Sequence, residues 1–112
     1  MQEALPDLIF DSPTDDALAA DDAFWRLYES SFPSNEREPR KVILQSIRQR
    51  VAFVIRARVR SRAVGLATAH VLREPPILFI VYLAVAPEFR SRRIGAALFE
   101  RLCVTGVERY AE

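Results

Sequence analysis

Apolar positions along the chain change period twice, and each change marks a change of element. Leu8-Ile9-Phe10 is a short apolar run that predicts a strand, and the polar stretch from Asp11 to Asp16, with Pro13, favours a turn after it. Phe24, Leu27, Tyr28 and Ser31 then recur at the three- and four-residue spacing of one helix face, with Asp21 placed as the N-cap. This helix is expected to stop near Phe32-Pro33. The charged, proline-bounded segment Ser34 to Pro39 predicts a loop, and a second helix from about Arg40 carries Ile43, Leu44 and Ile47 toward the core.

After Val51 the period drops to two. Phe53, Ile55, Ala57 and Val59 alternate with Arg56, Arg58 and Arg60, which predicts a strand with one buried and one wet face. Arg60-Ser61-Arg62 is short enough for a hairpin into a second strand over Ala63 to Leu72. Glu74-Pro75-Pro76 breaks that strand. Ile77 to Val85 is apolar at every position except for the Tyr82 hydroxyl, and a strand apolar on both faces is expected inside a sheet. From Arg93 onward, Gly95, Phe99, Leu102, Cys103, Gly106 and Tyr110 fall on one stripe opposite Glu100, Arg101, Glu108 and Glu112, predicting a helix that packs back on the sheet. The order of elements defines an α+β class of α/β type, with a mixed, mostly antiparallel sheet flanked by helices.

Composition narrows function mainly by exclusion. A chain of 112 residues allows a single domain over 1–112, and its 50% hydrophobic content excludes disorder as the main state. A net charge of +1 provides no global field for nucleic acid or an anionic membrane. Of the 16 basic residues only Lys41 is not an arginine, and guanidinium forks suit phosphate where several gather. A lone Cys103 and a lone His70 cannot build a disulfide or a His/Cys metal site, so no metal is expected. Met1 to Leu8 lacks the basic start and apolar run of a signal peptide, and Ile77 to Pro87 is too short to span a bilayer. A cytoplasmic protein is the expectation.

The chemistry concentrates after the apolar strand, in Leu83-Ala84-Val85-Ala86-Pro87-Glu88-Phe89-Arg90-Ser91-Arg92-Arg93-Ile94-Gly95-Ala96-Ala97. A strand ends at Pro87, a basic turn follows and a helix opens near Arg93. The first turn of a helix leaves N–H groups unpartnered at the positive end of its dipole, which suits a pyrophosphate. Gly95, Ala96 and Ala97 let a ligand approach the backbone, while Arg90, Arg92 and Arg93 add cationic donors.

This stretch resembles the coenzyme A signature of the GNAT superfamily of N-acetyltransferases: Arg or Gln, two residues, Gly, one residue, then Gly or Ala. Two frames fit. Aligned on the Leu-Ala-Val and Pro context, the signature is Arg90-Ser91-Arg92-Arg93-Ile94-Gly95, with Arg93 where Gly is usual; shifted by two, Arg92-Arg93-Ile94-Gly95-Ala96-Ala97 matches every constrained position. The strand spacing favours the first. The resemblance extends through Ser31-Phe32-Pro33, Glu36-Arg37 and the meander. It implies acetyl transfer from acetyl-coenzyme A, a co-substrate, to a primary amine by direct attack. It also implies that pantetheine lies like an added strand on the backbone of Leu83, Ala84 and Val85, with the pyrophosphate on amides from Arg90 to Ala96. The alternative is a module of the same fold that binds coenzyme A or a protein partner without turnover.

Catalytic groups are harder to place. Many members of the family supply a base from a carboxylate on the Leu-Ala-Val strand, but Ile77 to Val85 contains none. The amides of Ala84 or Val85 are candidates to polarise the thioester carbonyl, and Tyr82 is a candidate on the substrate side. Glu36, in the loop where acceptors dock in the family, is the candidate contact to a small-molecule or peptide amine. His70 is read as a sheet histidine or a base, and Cys103 as core. Family members normally continue past the cofactor helix with further strands. The chain is therefore expected to be incomplete at its C-terminus, or to complete its sheet as a homodimer through the edge left by Ile77 to Val85.

Overall fold

The computed structural model describes residues 7–110. The leader-free reading of Met1 to Pro6 and the placement of Glu112 lie outside the described residues. Strand β1 (Leu8–Asp11) leads into three helices, α1 (Asp15–Ala19), α2 (Asp22–Ser31) and α3 (Arg40–Arg48). The meander β2 (Ala52–Val59), β3 (Arg62–Arg73) and β4 (Pro76–Val85) follows, then a 3-10 turn at Pro87–Phe89 and helix α4 (Ile94–Tyr110). The strands form one sheet in the order β1-β2-β3-β4, antiparallel at every pairing. None of the described helices is long and apolar enough to cross a membrane.

Local chemistry accounts for the turns. Arg60 and Ser61 both have positive φ, 51° and 70°, and Val59 pairs with Arg62, so the β2–β3 connection is a two-residue hairpin whose twist matches its strands. Asp21 caps α2, its Oδ1 accepting from the Phe24 N–H at 3.0 Å. The polar stretch expected to be only a turn contains α1, capped by the Thr14 hydroxyl accepting from the Ala17 N–H at 3.2 Å. Five residues are too few to show a helical period, which is why the pattern missed it.

Helix α4 covers one face of the sheet and α2 with α3 the other, leaving β2 and β3 buried on both sides over most of their length. A Cβ on Gly65 would lie 2.9 Å from Leu98 Cδ1 and 3.2 Å from Ile94 Cγ2, so this glycine lets α4 close on β3. That contact sets the helix rotation. The buried ladder is Ile94, Leu98, Leu102 and Gly106, whereas Phe99, placed on the core stripe by the sequence, is 49% exposed. On the opposite face Phe24, Trp25, Tyr28, Phe32 and Tyr82 form an aromatic chain with centroid separations of 4.8–5.8 Å, which fixes α2 over β4.

Two expectations are corrected. The arginine face of β2 is not wet at Arg56, which is 7% exposed. Its Nε and Nη2 donate to the two oxygens of Asp11 at 2.9 and 2.8 Å, and its Nη1 donates to Asp21 Oδ2 at 2.8 Å. One guanidinium thus joins β1, β2 and the start of α2. The hydrogen bonds it donates to Asp11, then the one to Asp21, hold its pKa above the usual arginine value despite burial. The second concerns β4, whose two apolar faces predict an interior strand although an edge at Ile77 to Val85 is expected as well. It pairs only with β3 and forms an edge, with Ile77, Phe79, Ile80, Val81 and Leu83 exposed.

Removing one partner of a buried ion pair strands the other charges, at a cost of about 3 kcal/mol or more. Arg56→Ala is therefore expected to lower unfolding free energy by about 3 kcal/mol in urea, whereas Arg60→Ala, at an exposed pair with Asp7, should cost under about 1 kcal/mol. Equal losses would remove Arg56 from its structural role.

Candidate functional site

The edge of β4 supplies the first part of the site. The Ala86 N–H donates to the Val64 carbonyl at 2.8 Å, and Leu66 and Gly65 stand opposite Ala84 and Val85. Antiparallel alternation then turns the N–H and C=O of Ala84 toward β3, and those of Leu83 and Val85 toward the open edge. Of the backbone groups named from sequence, Leu83 and Val85 can meet a ligand laid along this edge, while Ala84 is engaged in the ladder. The Val85 carbonyl accepts from Arg90 Nε at 3.1 Å.

At the end of that edge the chain turns through Arg90 to Arg93 into α4. Ser91 and Arg93 lie in the left-handed region, with φ 67° and 61°. Arg93 caps the helix backbone, its carbonyl accepting from the Ala97 N–H at 3.1 Å, so the N–H groups of Ile94, Gly95 and Ala96 have no intrahelical acceptor. Val85, Phe89, Arg90, Ser91, Arg93, Ile94 and Gly95 line a cavity of about 390 Å³ here. Arg92 is exposed beside it. Backbone alternating into the left-handed region before a helix start forms a concavity of N–H donors suited to an anion.

The φ of Arg93 also separates the two signature frames. A glycine-type conformation falls at Arg93, where the first frame has its usual Gly, and none of the described glycines has positive φ, Gly95 included. The geometry that calls for glycine is thus retained at Arg93, at the cost of placing a Cβ and its side chain there.

The second part of the site is the loop between α2 and α3. Tyr82, buried on β4, donates its hydroxyl to the Glu36 carbonyl at 3.0 Å and accepts from the Glu38 N–H at 2.9 Å. Named from sequence as a candidate catalytic residue, Tyr82 is placed as an anchor for this loop. The neighbouring Tyr28 hydroxyl donates to the Glu38 carbonyl at 2.8 Å; burial, then the Tyr82 hydroxyl beside it, pushes its pKa well above the usual phenol value. Glu36 itself points an exposed carboxylate outward from the anchored backbone.

Two features were missed in the sequence. A bulge lies in β4: Thr68 pairs with Tyr82 and Ala69 with Ile80, which leaves Val81 without a partner. Around the bulge the Tyr82 N–H donates to the Thr68 hydroxyl at 3.2 Å. The other is Glu38, whose Oε1 lies 3.3 Å from His70 Nε2 across 32 positions of sequence. Such a long-range pair leaves no local pattern. Cys103 stays half-buried on α4, away from both parts of the site.

The open edge, the bulge, the amide-lined turn and the loop above them lie together at one end of the sheet. The model of the acetyltransferase (GNAT) family matches residues 20–111, and the chain belongs to that family of acyltransferases. An aminoglycoside acetyltransferase from an uncultured soil metagenomic sample, in complex with sisomicin, is 24% identical with TM-score 0.78 over 95% of this chain and 74% of that one. A ribosomal-protein-alanine N-acetyltransferase of Brucella melitensis biovar Abortus 2308 is 21% identical, with TM-score 0.70 over 91% and 73% of the two chains. A predicted acetyltransferase of Clostridium acetobutylicum with acetyl-CoA is 12% identical, with TM-score 0.68 over 94% and 77%. At these identities the likeness shows the fold. No curated protein matches the chain in sequence.

A side chain in the left-handed region costs about 1 kcal/mol or more, and most for a β-branched residue. Arg93→Gly is expected to leave thermal stability unchanged or raise it, and Arg93→Val to lower it by about 1–2 kcal/mol. Equal melting temperatures for the two variants would contradict the backbone placed here.

Proposed function

We propose that the chain transfers an acetyl group from acetyl-coenzyme A to a primary amine by direct attack of the amine nitrogen. The observation that carries this is the position of the cavity, where the outward backbone groups of Leu83 and Val85 run into the free amides of Ile94, Gly95 and Ala96. The donors are mostly main-chain, pre-positioned and adjacent to Arg90, Arg92 and Arg93, as a diphosphate followed by an extended amide-containing arm requires. The outward N–H groups of Leu83 and Val85 also face the edge where a carbonyl oxygen gaining charge would need a donor, Leu83 being the one nearer the bulge. The acceptor docks from the side of the Glu36 loop. A non-catalytic coenzyme A module is favoured by one observation, the absence of any carboxylate from β4.

Isothermal titration with acetyl-coenzyme A, followed by thiol release with a panel of amines, distinguishes the two. Turnover is expected, and tight binding without thiol release from any amine would support the module. In the same assays Gly95→Pro, which removes a free amide without breaking the first helical turn, should abolish binding, whereas Arg92→Ala should weaken it about tenfold. Glu36→Gln should raise the acceptor's KM alone. Unchanged affinity in Gly95→Pro would remove the site.

The proposal extends to assembly. Ten residues of β4 carry no charge, and their apolar side chains are exposed on both faces toward Ile77, the pattern of an edge that pairs. A second copy is the proposed occupant of that half, leaving Leu83 and Val85 for the ligand. Sedimentation at micromolar concentration should show a dimer, and a monomer at all concentrations would contradict it.

A further inference from the structure

The proposed amine attack needs a base, and β4 offers no carboxylate. The structure places one titratable pair beside the bulge instead. His70, on β3, shares the α2 and α3 face of the sheet with Thr68, the partner of Tyr82, and stands directly opposite Phe79 on β4. Its Nε2 lies 3.3 Å from Glu38 Oε1, with both side chains about one-third exposed, 35% and 32%. Glu38 does not swing freely. Its backbone N–H donates to the Tyr82 hydroxyl and its carbonyl accepts from Tyr28, so both ends of its peptide environment are pinned to the aromatic chain.

Resting on the acetyl-transfer proposal, we infer that His70 is the base that takes the proton from the acceptor amine, with Glu38 as the residue that positions it. A carboxylate can only accept, so the contact sets the imidazole with its proton on Nε2 and its lone pair on Nδ1. The exposed ring of Phe79, 51% accessible beside the imidazole, gives an arriving ammonium a π face. The step balances without a further reagent: Nδ1 takes one proton from the arriving ammonium, the freed amine nitrogen forms a bond to the acetyl carbon, the carbon–sulfur bond breaks with its electron pair on sulfur, and the second proton lost by nitrogen passes to the thiolate. One strand residue separates His70 from Thr68, roughly 7 Å along β3 at strand rise, so an amine held over the bulge reaches the imidazole through a bridging water rather than by direct contact.

The chain has one histidine, which makes its imidazole spectroscopically unique. Nitrogen-15 NMR of the wild-type protein should show the Nε2–H tautomer when neutral, and Glu38→Leu, which removes the acceptor, should weaken that preference. A merely structural histidine whose contact with Glu38 is incidental would show mixed tautomers, and this outcome overturns the inference without depending on any variant's folding. In thiol-release assays with sisomicin and with an alanine-initiated peptide as acceptors, His70→Gln should lower kcat roughly a hundredfold or more, with acetyl-coenzyme A affinity within about twofold of wild type. Phe79→Leu should raise the acceptor's KM with little change in kcat. Wild-type turnover with kcat unaltered in His70→Gln overturns the base and leaves acetyl transfer standing. Acetyl-coenzyme A binding without wild-type turnover of either acceptor overturns both.

Discussion

The hydroxyl of Tyr82 is the joint on which the two halves of the site depend. It sits on β4 next to the bulge and is held between the Glu36 carbonyl and the Glu38 N–H, so the loop between α2 and α3 cannot move without the strand that leads to the cofactor turn. Both bonds lie in a part-buried setting beside Tyr28 and Phe32, where an unpaired hydroxyl would be costly and a satisfied one is rigid. Backbone atoms of the loop are thereby fixed, while the Glu36 carboxylate stays exposed and that of Glu38 reaches His70. The loop between α2 and α3 and the end of β4 are joined by one phenol.

Much of the fold was legible because its elements obey a single local rule each. The helix with Phe24, Leu27 and Tyr28, the hairpin at Arg60-Ser61 and the proline break before β4 follow from spacing and turn chemistry alone. Errors arose where a contact distant in sequence overrode the local pattern. Arg56 looked like a solvent-facing position because nothing near it in sequence announces Asp11 and Asp21, 45 and 35 positions away. Likewise Gly65 decides which face of α4 is buried, and no period within the helix records that. For β4 the composition was informative but its meaning was not: an all-apolar strand can mark the middle of a sheet or an edge that awaits a partner.

The candidate site divides along the same line. Its proposed anion-binding half is contiguous in the chain, from Val85 to Ala96, so spacing and residue type alone could suggest it. Its acceptor half is assembled from α2–α3, β3 and β4, and a pair such as Glu38 with His70 becomes visible only when the strands are aligned. The turn into α4 adds a physical reason for an otherwise odd residue. Arg93 occupies a left-handed position, and the backbone geometry that would prefer glycine persists under a different side chain.

The central claim is that coenzyme A is held by outward-facing main-chain amides along the β4 edge and at the start of α4. Amide-resolved NMR during titration with coenzyme A tests it most directly. The account predicts that the largest shifts cluster at Leu83, Val85 and the amides from Arg92 to Ala96, with Ala84 and the β1–β2 pair little affected. Saturable binding whose largest shifts fall elsewhere, or no binding at millimolar ligand, about −4 kcal/mol or weaker, would contradict it.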